Sequence, residues 1–189
     1  MSYFPMYMDM SNQKVLLVGG GNIALEKLEK LLDFTTDITI ISIDTTPHLQ
    51  SLANEYGLSI LTKAYQQGDI DGYDIVIVAT NTIELHKEIY LESRSKRVLV
   101  NSVDDTAYCD FIFPSYIKQD DLVISFSTSG ASPAFAKAIK EYISIQIPTN
   151  IGDFLAKMKT LRTQMPKGKA RMEYFKSLVD EYFQKNFKN

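Results

Sequence analysis

Short apolar segments alternate with amphipathic stretches along the first 113 residues of the chain. Several of the apolar segments are runs of Val, Ile and Leu, which is typical of strands that are buried on both faces of a sheet. These segments span residues 14–18, 38–42, 58–61, 74–79 and 98–101. After the first of them, Ala24, Leu28, Leu31 and Leu32 recur at helical spacing. The alternation predicts an α/β fold, a parallel sheet with helices on both faces.

The pattern changes after Pro114. Residues 115–118 and 122–127 are apolar segments on either side of the polar triplet 119–121, which predicts a β-hairpin. Ser132 followed by Pro133 predicts a helix that ends before Pro148, and two amphipathic helices follow. The apolar face of the last helix is predicted to contain Met172, Phe175, Leu178, Val179, Tyr182 and Phe183. We therefore predict three parts, at residues 1–113, 114–147 and 148–189.

A glycine motif joins the first predicted strand to the first predicted helix. The residues Gly19, Gly20 and Gly21 are followed by Asn22, Ile23 and Ala24, in the spacing Gly-x-Gly-x-x-Ala. In this position the glycines can form a tight turn and let the backbone approach a pyrophosphate, which would also meet Asn22 and Ile23. The N-terminus of the helix offers N–H groups to the phosphates. The motif predicts a Rossmann-like dinucleotide-binding domain at residues 1–113.

The end of the second predicted strand indicates which cofactor binds. Asp44 lies 23 residues after Gly21, where an acidic residue can accept hydrogen bonds from ribose hydroxyls, and Ile43 would flank the adenosine with it. No Lys or Arg occurs between Ser42 and Thr62 to hold a 2′-phosphate. This favours NAD over NADP, while the alternative is that Asp44 only caps a turn before Pro47.

Thr80 and Asn81 end the fourth predicted strand and are predicted to contact the cofactor, because ligands of open parallel sheets bind at the carboxyl ends of the strands. Asn81 also precedes Glu84 by three residues, the spacing of a capping box, which predicts a helix that Asn81 caps. Asp104 lies at the same edge of the sheet and could act as a general base. The alternative for Asp104 is a loop aspartate that backbone N–H groups satisfy.

Composition and charge narrow the function classes. The net charge of −3 is uneven, because residues 148–189 hold nine Lys or Arg against four Asp or Glu, compared with eleven against nineteen elsewhere. The basic segment could steer a polyanion or could simply be a solvated helix face, and it carries no nucleic-acid-binding motif. No apolar run is long enough to span a membrane and no signal peptide is visible, so we expect a cytoplasmic protein.

The residues that bind transition metals well are few. The chain has the single cysteine Cys109 and the two histidines His48 and His86, which are far apart and predict no metal site. Neither histidine has an obvious position at a strand end. This argues against a small hydroxy-acid dehydrogenase, which normally needs a polarising Arg/His pair. The hydroxyl-rich segment 127–132 could hold substrate carboxylates or could be only a turn and a helix cap.

Six motifs, in order and spacing, resemble the precorrin-2 dehydrogenases and bifunctional dehydrogenase/ferrochelatases of sirohaem biosynthesis. They are Phe4-Pro5-Met6-Tyr7, Val18-Gly19-Gly20-Gly21 with Ala24, Val78-Ala79-Thr80-Asn81, Asn101-Ser102-Val103-Asp104, Phe113-Pro114 and Ser129-Gly130-Ala131-Ser132-Pro133. The resemblance implies an NAD-binding domain, a central segment that forms a homodimer and a C-terminal helical domain. It also implies oxidation of precorrin-2, a tetrapyrrole with many carboxylates, to sirohydrochlorin.

The resemblance assigns roles to particular residues. It makes Asp104 the catalytic residue. In the hydroxyl-rich segment before the predicted helix, Thr128, Ser129 and Gly130 are the residues predicted to bind substrate carboxylates. Thr128 stands where some bifunctional members have a serine that is phosphorylated, so that regulation is not expected here. The chain shows no methyltransferase region, and a separate enzyme is expected to supply precorrin-2. Ferrochelatase activity stays open, with a separate chelatase as the expected partner. An alternative of another class is an NAD(H)-binding redox sensor that catalyses no reaction.

Overall fold

A computed structural model describes residues 3–103 and 105–187 of the chain. The described residues divide into two compact units, which span residues 3–112 and 113–187. Each unit has its own secondary structure, and each is described below by itself.

The first unit is built on a five-stranded parallel sheet. Its strands lie in the order β3-β2-β1-β4-β5, and every neighbouring pair is parallel. The strands are β1 (Val15–Val18), β2 (Ile38–Ser42), β3 (Ser59–Thr62), β4 (Ile75–Val78) and β5 (Leu99–Ser102). The predicted α/β fold with a Rossmann-like parallel sheet is therefore confirmed. From β1 the chain adds β2 and β3 on one side of the sheet and then β4 and β5 on the other. Ligands of such folds bind at the point between β1 and β4 where the strand order switches.

Helices connect the strands of the sheet. They are α1 (Asn22–Leu32), α2 (Pro47–Glu55) and α3 (Ile83–Ser93), and a short 3-10 turn at Thr106–Tyr108 follows β5. The start of α3 differs from the prediction, because Thr82 is the N-cap residue and makes no side-chain cap hydrogen bond. The carbonyl oxygen of Thr82 accepts the first helical hydrogen bonds, from the N–H groups of Leu85 and His86. Asn81 lies one residue too early to cap the helix, so the predicted capping box is wrong.

The core of the first unit explains why the strands read as continuous apolar runs. All four residues of β1 and all four of β4 are buried, because both faces of the central strands are covered. On the α3 side of the sheet, Val76, Val78 and Val100 pack against Ile89 of the helix. The carboxyl ends of β4 and β5 are thereby fixed beside the N-terminal turns of α3.

The second unit contains a hairpin and three helices. The elements are β6 (Ser115–Gln119), β7 (Leu122–Phe126), α4 (Pro133–Ser144), α5 (Ile151–Gln164) and α6 (Lys169–Asn186). β6 and β7 pair antiparallel, as the sequence predicts. Ser132 caps α4, because its hydroxyl accepts a hydrogen bond from the Phe135 N–H at 3.2 Å. A side chain at Gly152 in α5 would overlap the carboxylate of Asp120 in the hairpin turn, so glycine permits this approach.

The last two helices pack through fewer apolar residues than predicted. Phe154 of α5 stacks on Tyr182 of α6 with ring centroids 4.1 Å apart, and the Tyr182 hydroxyl donates to Asn150 Oδ1 at 2.8 Å. The prediction that Met172 and Phe183 face inward is wrong, because both are exposed. Phe183 stacks instead on Phe187 after the end of α6. Within residues 3–103 and 105–187, no helix combines the length and apolar character needed to cross a membrane.

A buried carboxylate joins α3 to the loop that leads into β4. Glu92 of α3 accepts hydrogen bonds from the Tyr65 hydroxyl at 2.6 Å, from the Gly68 N–H at 2.8 Å and from Lys96 Nζ at 2.7 Å. Burial by itself would raise the pKa of Glu92, but the hydrogen bonds from Lys96, Tyr65 and Gly68 outweigh it and lower the pKa. The charged form of Glu92 is therefore the one that stabilises the folded unit.

We expect the substitution Glu92→Gln to reduce the free energy of unfolding by about 2 kcal/mol near neutral pH, because the hydrogen bonds to a charged acceptor are lost. A lowered pKa stabilises the fold above the usual value of 4.5, and this stabilisation is lost as the pH falls through the folded-state pKa. The difference between the two proteins in urea denaturation should therefore shrink below pH 4.5.

Glu26 provides the matched control. Like Glu92 it pairs with a lysine one helical turn later, but its side chain is 55% exposed whereas that of Glu92 is 5% exposed. The substitution Glu26→Gln should change stability by about 0.5 kcal/mol or less. Equal effects of the two substitutions would contradict the role of Glu92.

Candidate cofactor site

Two glycines in the turn after β1 are required by their neighbours. Gly19 has a φ of +126°, and a Cβ there would overlap the carbonyl oxygen of Ala79 at the end of β4. A Cβ at Gly20 would overlap the carbonyl oxygen of Asp44, after β2. The Gly20 carbonyl oxygen accepts a hydrogen bond from the Thr46 N–H at 2.9 Å. The turn is therefore held between the ends of β2 and β4, the two strands that flank β1, with no room for side chains at Gly19 and Gly20.

Gly21 is different, because a Cβ there would meet no atom within 4 Å. It is the N-cap residue of α1, has extended backbone angles and makes no side-chain cap hydrogen bond. Asn22 and Ile23, the first residues of α1, are both exposed. The helix N-terminus thus presents its backbone N–H groups at an open surface, which is the arrangement that binds a pyrophosphate.

Asp44 lies beside this turn. Ile43 and Asp44 are both exposed, and the Asp44 carbonyl oxygen accepts a hydrogen bond from the Ser42 hydroxyl at 2.6 Å. The first cation after Ser42 in the sequence is Lys63, which is paired with Asp69 at 2.6 Å. An exposed carboxylate at the adenosine end of the site, together with a lysine that is already paired, suits unphosphorylated ribose hydroxyls.

A cleft of about 230 Å³ lies at the carboxyl ends of β4 and β5. It is lined by Ile23, Ala79, Thr80, Asn81, Ile83, His86, Val103 and Asp105. The structure therefore brings together Ile23 from the start of α1, residues of the β4 end and of the first turn of α3, and residues that follow β5. Thr80 and Asn81 occupy the positions at the strand end that the sequence predicts.

His86 is the residue of this cleft that the sequence analysis missed. The prediction that it has no position at a strand end is wrong, because its ring lies 2.9 Å from the Thr80 carbonyl oxygen, measured from Nε2. The side chain is nearly buried, with 3% of the residue exposed. The spacing of six residues from Thr80 gives little signal, since a helix start must fold back over the strand end to bring the two together. His48, in contrast, is exposed on α2.

Asp104, the predicted catalytic residue, lies outside the described residues. Its neighbours Val103 and Asp105 both line the cleft. The Val103 N–H donates to the Val78 carbonyl oxygen at 2.9 Å. Asp105 caps the short 3-10 turn, because its carboxylate accepts from the Ala107 N–H at 3.1 Å.

Cys109 closes the loop that contains these residues. Its sulfur accepts from the Ser102 N–H at 3.2 Å and donates to the Ser102 carbonyl oxygen at 3.1 Å. Burial raises the pKa of the Cys109 thiol, so it stays protonated and is a poor metal ligand. In the described part of the chain, no group of three His, Cys, Asp or Glu residues is placed to hold a metal ion.

The predicted substrate residues lie in the second unit, before α4. Ser129 and Gly130 have positive φ angles of 52° and 86°. Thr128 closes the turn, because its carbonyl oxygen accepts from the Ala131 N–H at 2.9 Å and its hydroxyl oxygen accepts from the Ser132 N–H at 3.0 Å. The loop is thus an ordered turn and helix cap, and the same turn exposes Ser129 and Gly130.

Comparison with known proteins identifies the family of the first unit. A family model described as "Putative NAD(P)-binding" matches residues 6–115. The chain belongs to this NAD(P)-binding family. That match covers the glycine turn, Asp44 and the cleft, whose open approach at Gly21 fits a dinucleotide.

Similar proteins carry the names of sirohaem enzymes. The chain is 35% identical over 152 residues to "Siroheme synthase 1" of Serratia proteamaculans. The alignment covers 80% of the chain and 32% of that protein. The chain is 30% identical over 193 residues to "Siroheme synthase" of Mannheimia succiniciproducens, which covers 100% of the chain and 40% of that protein. The chain therefore spans only about a third to two fifths of the length of these relatives. The predicted relationship to the sirohaem synthase family is confirmed.

A solved structure named "SirC, precorrin-2 dehydrogenase" has the same fold. It superposes with a TM-score of 0.82, over 97% of this chain and 92% of that one, at 22% sequence identity.

A substitution at Gly21 tests the cofactor site. We expect Gly21→Val to weaken NAD binding at least tenfold in calorimetric titration, because the side chain would project where the pyrophosphate approaches. The fold should be retained, since a Cβ at Gly21 meets no neighbour.

Gly20→Ala is the contrasting variant, because its Cβ would overlap the Asp44 carbonyl oxygen. This variant should unfold at a clearly lower urea concentration than the unmodified protein. Unchanged NAD affinity in a folded Gly21→Val protein would contradict the assignment of the site.

Proposed function

We propose that this chain uses NAD to dehydrogenate precorrin-2 to sirohydrochlorin, a step of sirohaem biosynthesis, in the cytoplasm. The observation that carries the proposal is the open N-terminus of α1 at Gly21, which lies next to an exposed Asp44 and a cleft at the strand ends. The names of the siroheme synthase relatives and of the precorrin-2 dehydrogenase with the same fold support the choice of substrate.

The residues that would hold the cofactor lie in the first unit. Gly19 and Gly20 shape the turn, Gly21, Asn22 and Ile23 offer the pyrophosphate site, and Ile43 and Asp44 flank the adenosine ribose. Thr80 and Asn81 lie on the cleft, where the nicotinamide end would be bound. When bound, NAD supplies the acceptor for the hydride that the substrate loses.

Asp104 has the role of general base in this proposal. Loss of a hydride from a carbon next to a pyrrole leaves a proton to be removed, and a carboxylate near the cleft is suited to that task. Thr128, Ser129 and Gly130 are proposed to bind substrate carboxylates at the N-terminus of α4, where backbone N–H groups and the helix dipole favour anions. The basic C-terminal segment adds cations that attract the same polyanion.

A homodimer through the central segment is part of the proposal. One face of α4 packs inside the second unit through Ala136, Ile139 and Ile143. Beside this face the helix exposes Phe135 and Tyr142, and its C-cap residue Ile145 is exposed as well, so three large apolar side chains face water. A second copy of the chain would remove this apolar surface from water.

The direct test is anaerobic mixing of the protein with precorrin-2 and NAD, followed at the absorbance of NADH. We expect NADH and sirohydrochlorin to form together, and turnover to be faster with NAD than with NADP. Asp44→Ala should narrow that difference by weakening NAD binding, because the ribose hydroxyls lose their acceptor.

Lys63→Ala is a useful control, since Lys63 is paired with Asp69 and should not select the cofactor. Binding of NAD without NADH formation would favour the redox sensor. Equal turnover with both cofactors in the unmodified protein would contradict the role of Asp44.

Asp104→Ala is expected to lower the rate of dehydrogenation at least ~100-fold, the usual contribution of a general base, with little change in NAD affinity. Asp104→Asn should be similarly slow, because it keeps the shape of the side chain but loses the basic oxygen. Asp105→Asn is the neighbouring control and should retain most of the activity. Near-normal turnover of Asp104→Ala at saturating precorrin-2 would exclude Asp104 from the mechanism.

Ferrochelatase activity is expected to be weak or absent, with a separate chelatase as partner. The better ligands for ferrous iron are not grouped: the Cys109 thiol is hydrogen-bonded to Ser102, and in the described residues His86 belongs to no group of three His, Cys, Asp or Glu that could hold a metal ion. The assay is anaerobic incubation of sirohydrochlorin with ferrous iron, followed at the sirohaem absorbance. Sirohaem formation well above the uncatalysed rate, and lost in Asp104→Ala, would contradict this prediction.

A further inference from the structure

Three buried side-chain atoms in the described residues have no hydrogen-bond partner, and all belong to one region of the first unit. They are Thr80 Oγ1, His86 Nδ1 and Ser102 Oγ. Ser102 ends β5 beside Val78 of β4, and Thr80 and His86 line the cleft at these strand ends. Buried polar atoms without partners destabilise a fold and are rare. Two of the three atoms belong to residues that line the cleft, which points to a ligand that satisfies those two.

The one hydrogen bond of His86 indicates which of its two ring nitrogens carries the hydrogen. The Thr80 carbonyl oxygen can only accept, so the Nε2 atom that lies 2.9 Å from it carries the proton. In the neutral ring Nδ1 then carries a lone pair and is an acceptor. The bond to Thr80 thus fixes both the orientation of the ring and the hydrogen-bonding character of its second nitrogen.

Thr80 and His86 both line the cleft, and their unpartnered atoms are complementary in hydrogen bonding. His86 Nδ1 needs a donor, and the Thr80 hydroxyl can donate a proton to an acceptor. A primary amide has both groups, an NH₂ donor and a carbonyl acceptor, on one planar unit. We propose that His86 and Thr80 bind the carboxamide of the nicotinamide ring, with Nδ1 accepting from its NH₂ group and the Thr80 hydroxyl donating to its oxygen.

This assignment deepens the proposed function and rests on it, because it names the residues that would recognise the nicotinamide end of NAD. It also gives His86 two separate tasks. One nitrogen positions the connection between β4 and α3 through the Thr80 carbonyl, and the other contacts the ligand. Ser102 does not line the cleft, so its hydroxyl is not included in the contact.

Two substitutions separate the tasks of His86. In His86→Gln the terminal amide nitrogen can still donate to the Thr80 carbonyl, but no acceptor remains at the position of Nδ1. In His86→Asn the shorter side chain places its amide near the position of Nδ1, but it cannot reach the Thr80 carbonyl. Thr80→Val removes the hydroxyl and keeps the shape of the side chain.

The experiment is calorimetric titration with three ligands: NAD, the analogue that has nicotinic acid in place of nicotinamide, and ADP-ribose, which lacks the ring. We expect His86→Gln and Thr80→Val each to lower the affinity for NAD roughly three- to tenfold, the contribution of one hydrogen bond. The affinity for ADP-ribose should stay within about twofold, since that ligand makes neither bond. His86→Asn should still prefer NAD to the acid analogue.

The acid analogue controls for charge. Asp105 also lines the cleft and repels a carboxylate in every variant. The informative quantity is therefore the ratio of the affinity for NAD to the affinity for the acid analogue, compared between variants. His86→Gln should reduce that ratio. If His86→Gln does not fold, Thr80→Val gives the same comparison in a protein that retains the ring and its bond to the backbone.

Several outcomes would overturn the proposal. Equal losses for NAD and ADP-ribose would show that His86 acts only through the backbone, and unchanged NAD affinity in both variants would show that the atoms make no contact. Unmodified protein that binds ADP-ribose and NAD equally well would also overturn the carboxamide contact, while leaving the dinucleotide site intact. Failure of the unmodified protein to bind any of the three ligands would contradict the proposed function as well.

Discussion

The candidate site depends on one constraint, which is the close approach of the glycine turn to the ends of β2 and β4. Gly19 lies against the Ala79 carbonyl and Gly20 against the Asp44 carbonyl, at distances that no Cβ permits. This approach brings the β2 end, with Asp44, and the β4 end, with Thr80, to opposite sides of one helix N-terminus. In the proposed function, the positions of the pyrophosphate, the adenosine and the nicotinamide would all depend on this backbone contact.

The two ends of α3 differ in how far their polar groups are hydrogen-bonded. At its C-terminal end the buried carboxylate of Glu92 fastens the helix to the loop before β4 through Tyr65 and Gly68. At its N-terminal end His86 is bonded to the Thr80 carbonyl, but three polar atoms nearby lack partners. One end is thus held by hydrogen bonds to a buried carboxylate, while the other retains unused hydrogen-bonding capacity next to the cleft, as expected of a binding site.

In the second unit, the residues with proposed roles lie in the turn before α4 and on an exposed part of that helix. The positive φ of Ser129 and Gly130 places the hydroxyl-rich turn immediately before α4, whose N-terminal N–H groups favour anions. The same helix exposes large apolar side chains next to the face that packs within the unit. An α4 of this kind suits both tasks that the proposed function gives to this region, substrate binding and self-association.

Local patterns in the sequence determined the strands, the glycine turn, the hairpin and the cap of α4, because burial on two faces, tight turns and capping each require particular residues at fixed spacing. They also predicted a cofactor role for Asp44, Thr80 and Asn81, which lie just after strand ends; that role stays a prediction. Tertiary structure decided what spacing does not encode: the start of α3 at Ile83 rather than after Asn81, and the outward position of Met172 and Phe183. It also decided the position of His86 at the cleft, because that contact forms only when α3 packs on the sheet and folds its first turns over the end of β4.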